Sequence, residues 1–110
     1  MKKGHFPLRV NAKLRADFYA FCKNKGFSAG GAVKLFIKQL INSGEIPFSL
    51  REESRYDGER LDRMSVNMDE ETRIAFIQTC GEIGVNRSDI IRRFMEYCVA
   101  HDAFPTFSRQ

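Results

Sequence analysis

The residues best equipped for recognition chemistry lie in two short stretches where polar and apolar positions alternate. His5, Pro7 and Arg9 are interleaved with Phe6, Leu8 and Val10, and Arg63, Ser65 and Asn67 with Met64, Val66 and Met68. A guanidinium is a rigid fork of donors, a carboxamide sets a donor beside an acceptor, and a hydroxyl serves as either. Such groups can read planar hydrogen-bonding edges. Bond-making chemistry has little to work with here. No serine, cysteine or carboxylate stands in a recognisable nucleophile or acid–base setting, and His5 and His101 are isolated. Cys22, Cys80 and Cys98 form no C-x-x-C pair and are odd in number. They are expected to be small buried apolar residues. The expectation is a non-enzymatic protein with no cofactor and no metal.

Charge narrows the partner. The chain has 110 residues and a net charge of +4, unevenly spread. Residues 1–48 hold nine Lys/Arg against two acidic residues, a net +7 that includes every lysine of the chain. Residues 49–62 have three basic against five acidic residues, and residues 63–110 six against seven. A strongly basic half favours a polyanion, nucleic acid first. No apolar run approaches the roughly 20 residues that span a bilayer. The basic N-terminus, Met1 to Pro7, has no apolar segment behind it, unlike a signal peptide. A cytoplasmic protein without membrane contact is expected.

These recognition residues must be held by something, and an internal repeat says what. Shifting the chain by 58 residues places Phe18 on Phe76, Cys22 on Cys80, Gly26 on Gly84, Phe36 on Phe94 and Pro47 on Pro105, without a gap. Each copy begins with the period-two stretch of a strand buried on one face. Asn11 and Asp69 are suited to cap the helices that follow, and Gly26 and Gly84 to stop them. Second helices begin near Ser28 and within 86–88. They bear wide apolar stripes, Ala32, Val33, Phe36, Ile37, Leu40 and Ile41 in one and Ile90, Ile91, Phe94, Met95, Cys98 and Val99 in the other. Stripes that wide call for burial on two sides. Gly44 and Pro47 close the first of these helices, and His101 and Pro105 mark the end of the other.

A lone strand–helix–helix unit has no partner for its strand and too little core to offset backbone entropy. Two units pair their strands antiparallel and pool four helices. The expected organisation is a unit at 1–48, a charged linker at 49–62 and a second unit at 63–110, sharing one core. Eight of the fourteen linker residues are charged. Extended, they reach roughly 45 Å, enough for the second strand to return beside the first. Pairing within one chain and exchange between two chains both remain open.

With these motifs in place, the sequence resembles the Arc/MetJ ribbon-helix-helix superfamily. The resemblance rests on Met64-Ser65-Val66-Asn67-Met68-Asp69-Glu70-Glu71 and on the run from Gly84 to Arg93 in the second copy. In the first copy it rests on Phe6-Pro7-Leu8-Arg9-Val10 and Gly26-Phe27-Ser28-Ala29-Gly30. Two copies in one polypeptide look most like TraY-type proteins of conjugative plasmids. Gly44-Glu45-Ile46-Pro47-Phe48-Ser49-Leu50-Arg51 is similar to the second-helix exit of RelB/DinJ-type antitoxins, where a toxin-binding tail follows.

The resemblance implies a mainly α fold, a two-stranded ribbon over a four-helix core, with the ribbon entering the major groove of double-stranded DNA. His5, Pro7, Arg9, Arg63, Ser65 and Asn67 then face the bases, Arg suiting the guanine O6/N7 edge and Asn the adenine N6/N7 edge. Pro7 departs from the usual polar residue. Phosphate contacts fall to the starts of the second helices, Ser28, Ala29 and Gly30 and Asn86, Arg87 and Ser88, with Lys2 and Lys3 beside the ribbon. The expected role is a site-specific regulator of transcription from a bacterium, plasmid or phage. The alternatives are an accessory factor working with a relaxase at an origin of transfer, or an antitoxin-like protein binding a toxin. Self-association, as a pseudo-dimer within one chain, a homodimer or a tandem array on DNA, belongs to the same picture.

Overall fold

The computed structural model describes residues 3–50, 56 and 61–107, with the backbone alone for Lys3, Gly4 and His5. The order is β1 (Lys3–Asn11), α1 (Ala12–Lys25), α2 (Ala29–Ser43), β2 (Leu61–Asp69), α3 (Glu70–Ile83) and α4 (Arg87–His101). Strand–helix–helix occurs twice, as the periodicity implies. Each helix starts on a side-chain acceptor that satisfies an otherwise orphaned N–H. Asn11 Oδ1 accepts from Lys13 and Leu14 (2.8 and 3.1 Å), Ser28 Oγ from Gly31 (3.0 Å), Asp69 Oδ1 from Thr72 (3.2 Å) and Asn86 Oδ1 from Asp89 (3.0 Å). Gly26 and Gly84 end α1 and α3, while Asp102, not a glycine, takes the left-handed cap after α4.

The strands pair antiparallel within the one chain, with Pro7 opposite Ser65 at the centre, Arg9 opposite Arg63 on one side and His5 opposite Asn67 on the other. Both strands run beyond the alternating stretch. β2 begins at Leu61, inside the expected linker, because Leu61 and Asp62 pair with Asn11 and Val10. The linker is tied down at Tyr56. Asn11 Nδ2 donates to the Tyr56 carbonyl (3.2 Å), and the Tyr56 hydroxyl donates to Asp17 (3.0 Å). Lys13 also donates to Asp17, and that hydrogen bond leads in holding its carboxyl below the usual carboxylate range.

Phe6, Leu8, Val10, Met64, Val66 and Met68 all turn into a core shared by both halves. The helices cross over: α1 packs on α4, and α2 on α3 and β2. Phe36 and Phe94, counterparts under the 58-residue shift, stack at the centre with rings 4.3 Å apart and 13° from parallel. The same shift relates Pro7 to Ser65, so a pseudo-twofold axis runs from the middle of the ribbon through that aromatic pair. The chain leaves α4 through Phe104 and Phe107, which pack against Phe21, Phe27 and Phe94 and against Phe36 respectively. In α3 the buried residues are Phe76, Thr79 and Cys80. Thr72 and Ile83 are half-exposed at its two ends.

Candidate nucleic-acid interface

The outer face of the ribbon carries Pro7, Arg9, Arg63, Ser65 and Asn67, every one exposed. Strand pleating puts them there, since Phe6, Leu8, Val10, Met64, Val66 and Met68 between them are buried. Between the central pair and the arginine pair lies an open hollow of about 580 Å³, floored by Leu8 and Met64 and rimmed by Pro7, Arg9, Arg63 and Ser65. His5 occupies the register position opposite Asn67. Lys2 lies outside the described residues, and Lys3 pairs with Asp69 at the ribbon's end.

Pro7 breaks no ladder bond. Arg92 of α4 donates its Nε to the Arg9 carbonyl at 2.7 Å, so that carbonyl points away from β2. N–H and C=O groups of alternate strand residues share a direction, which sets the Pro7 nitrogen on the same outer edge, where no partner strand waits. The odd-numbered residues of β1 therefore sit in the close, non-hydrogen-bonded pairs, with Cα atoms about 4.5 Å apart.

Flanking the ribbon are the starts of α2 and α4. Ser28 and Asn86 spend their side chains on capping Gly31 and Asp89, leaving the N–H groups of Ala29, Gly30, Arg87 and Ser88 without hydrogen bonds among the described residues. Free N–H groups at a helix start, with the positive end of the helix dipole, suit an anion. The Ala29 side chain itself is buried, so that residue can offer backbone alone. Gly31 has a local reason to be glycine: a Cβ there would sit 2.7 Å from Ser28 Oγ and disturb the cap. At Gly30 a Cβ would meet nothing within 4 Å.

On the α4 side a groove of about 310 Å³ joins the ribbon to the helix start, lined by Phe6, Pro7, Arg73, Ile77, Asn86, Arg87 and Ser88. Arg73 and Arg92 join this surface from outside the strand faces and helix starts that local spacing marks. A signal existed: the 58-residue shift places Arg73 on Arg15 and Arg92 on Lys34, so a basic residue stands at both positions in both halves. Arg73 is steadied by Glu70 (2.8 Å) and Arg92 by Asp89 (3.0 Å). Arg15 instead lies over the Tyr19 ring, 4.5 Å from its centroid, and its buried Nε has no hydrogen-bond partner among the described residues. Among the described residues there is no His/Cys/Asp/Glu cluster fit for a metal, and no helix long and apolar enough to cross a membrane.

A two-stranded ribbon laid over four crossed helices is the ribbon-helix-helix arrangement. Residues 3–59 match the RelB antitoxin family, and the chain belongs to that family. The match takes in the first strand–helix–helix unit and most of the linker. No curated protein and no solved structure matches the chain.

Proposed function

We propose that this chain is a site-specific double-stranded DNA-binding regulator that inserts its ribbon into the major groove. The observation that carries the reading is the outer ribbon face, where Arg9, Arg63, Ser65 and Asn67 stand exposed around one pseudo-twofold axis. A two-stranded ribbon fits the roughly 12 Å width of the groove. The helix starts at 28–30 and 86–88 would hold phosphates on either side, and the net +7 of residues 1–48 adds non-specific affinity. Two units, 1–48 and 63–110, act as one shared-core reading head. Lys2 and Lys3 lie at the basic end of the first unit and add phosphate contacts there. The host is a bacterium, plasmid or phage, and the compartment its cytoplasm. The resemblance to TraY-type proteins keeps open a place beside a relaxase at an origin of transfer.

The test is fluorescence anisotropy on a duplex selected from random sequence, against unselected duplex, across salt concentrations. Arg9→Ala should lower the specificity ratio by about 5- to 150-fold while leaving binding to unselected duplex and thermal stability near wild type. An unchanged ratio would remove Arg9 from the reading face.

A second reading, that the chain also binds a toxin, rests on the RelB antitoxin match, which runs on from the first unit into the linker as far as residue 59. Here a second strand–helix–helix unit follows the linker. If the chain expressed alone binds its selected duplex at full specificity, DNA recognition stands without a toxin partner. Gain of specificity only on co-expression with a toxin from the same operon would favour the second reading.

A further inference from the structure

The two ends of the ribbon's outer face are chemically unlike, and the pairing register decides how. At one end Arg9 lies opposite Arg63 in a close pair. Neither bonds to a carboxylate among the described residues, unlike Lys13 with Asp17, Arg73 with Glu70 and Arg92 with Asp89. Asp62, next in sequence to Arg63, falls on the helix-side parity of Met64. Arg92 brings a third guanidinium to this end through the Arg9 carbonyl. At the other end Asn67 lies opposite His5, followed by Asp69, whose carboxyl is held below its usual range first by a hydrogen bond from the Thr72 side chain, the Thr72 backbone N–H and the nearby Lys34 adding less.

Like charges directly opposite each other weaken a strand pair. Two facing arginines with no carboxylate bonded to them among the described residues are therefore poised for a ligand that supplies acceptors to both. A guanine edge offers O6 and N7 side by side, matching the guanidinium fork, and an adenine edge offers the N6 donor and N7 acceptor that match a carboxamide. Resting on the DNA-binding reading above, we infer that one chain recognises a directional, non-palindromic element, with guanines beneath Arg9 and Arg63 at one end and an adenine beneath Asn67 at the other. Four strand steps carry Arg63 to Asn67, about 13 Å, and at 3.4 Å per base pair this sets guanine and adenine about four steps apart. The central Pro7–Ser65 pair leaves a single hydrogen-bonding side chain over the middle of the element.

The experiment is site selection by the full chain from a random duplex library, with stoichiometry on the shortest selected duplex measured by native mass spectrometry. The expected site is bound by one chain, lacks two-fold symmetry and carries its guanines at one end. Asn67→Ala should relax the adenine position alone, by about 5- to 150-fold, with the guanines still required. Arg63→Asn combined with Asn67→Arg should carry a guanine preference to the opposite end, a gain that misfolding cannot imitate. A palindrome bound by two chains, or an exchanged variant selecting the unchanged site, overturns the directional element while leaving DNA binding intact. Failure to enrich any sequence overturns the DNA reading itself.

Discussion

The two halves of this molecule agree at the heart of their shared core and differ over much of what faces outward. Phe18 and Phe76, Cys22 and Cys80, Phe36 and Phe94 are counterparts, and all are buried. On the surface the counterparts part company: Pro7 answers Ser65, Arg9 answers Asn67, Lys13 answers Glu71 and Lys38 answers Glu96. The helix starts show the contrast at close range. Both caps bond an N–H three residues on at 3.0 Å, yet α2 opens with Ala29-Gly30-Gly31 and α4 with Arg87-Ser88-Asp89. Residues packed across a pseudo-twofold axis fill space that their counterparts also line, so a change of volume on one side disturbs the other. Outward residues carry no such mutual constraint, and one backbone plan can present two chemistries.

The comparison breaks most sharply at the axis. Phe36→Ala and Phe94→Ala should each cost about 3–5 kcal/mol in chemical denaturation, and by similar amounts, because each ring stacks on the other. A loss confined to one of them would mean that the halves do not share a core.

The cysteines sharpen it next. Burial pushes the Cys22 and Cys80 thiols up to about 11 from an ordinary 9, and raises Cys98, whose counterpart is Leu40, further still. Below about pH 9 these thiols are neutral in both folded and unfolded chains. Above it the unfolded chain loses protons that the folded chain keeps, so stability should fall as pH rises from about 9 towards 11. Denaturation midpoints across that range check the slope, and Cys22→Ala and Cys80→Ala should flatten it equally. At neutral pH the native thiols should resist a thiol reagent until the chain unfolds.

A smaller effect belongs to the ends of the second helices. Gly44 and its counterpart Asp102 both take left-handed backbone, at φ 67 and 50, and Asp102 does so with a side chain. Asp102→Gly should raise the melting temperature by the equivalent of up to about 1 kcal/mol, and Gly44→Asp should lower it by a similar amount. The smallest expected change is at a helix start. Arg87→Ala should weaken duplex binding at every sequence alike and lower the salt-dependence slope by about one, since its neighbours' N–H groups stay in place. A change in the preferred sequence would make Arg87 a base reader instead.

Much of this was legible in the chain itself. Period-two alternation assigned the buried and outward faces of both strands, side-chain acceptors and glycines marked the ends of most helices, and the 58-residue offset disclosed two like units. These are local signals, written in residues within one turn or one pleat of each other. The tertiary structure alone decided which outward residues face one another. Alternation is unchanged when a strand slides by two residues, so it names the faces but not the partners. Arg9 opposite Arg63 follows from a register in which the packing of the shared core centres Pro7 on Ser65. The bond from Arg92 to the Arg9 carbonyl joins residues 83 apart. The crossing of α1 onto α4 and α2 onto α3 likewise depends on how two wide apolar stripes nest together. No local pattern encodes such contacts, because each is chosen by the packing of the whole core.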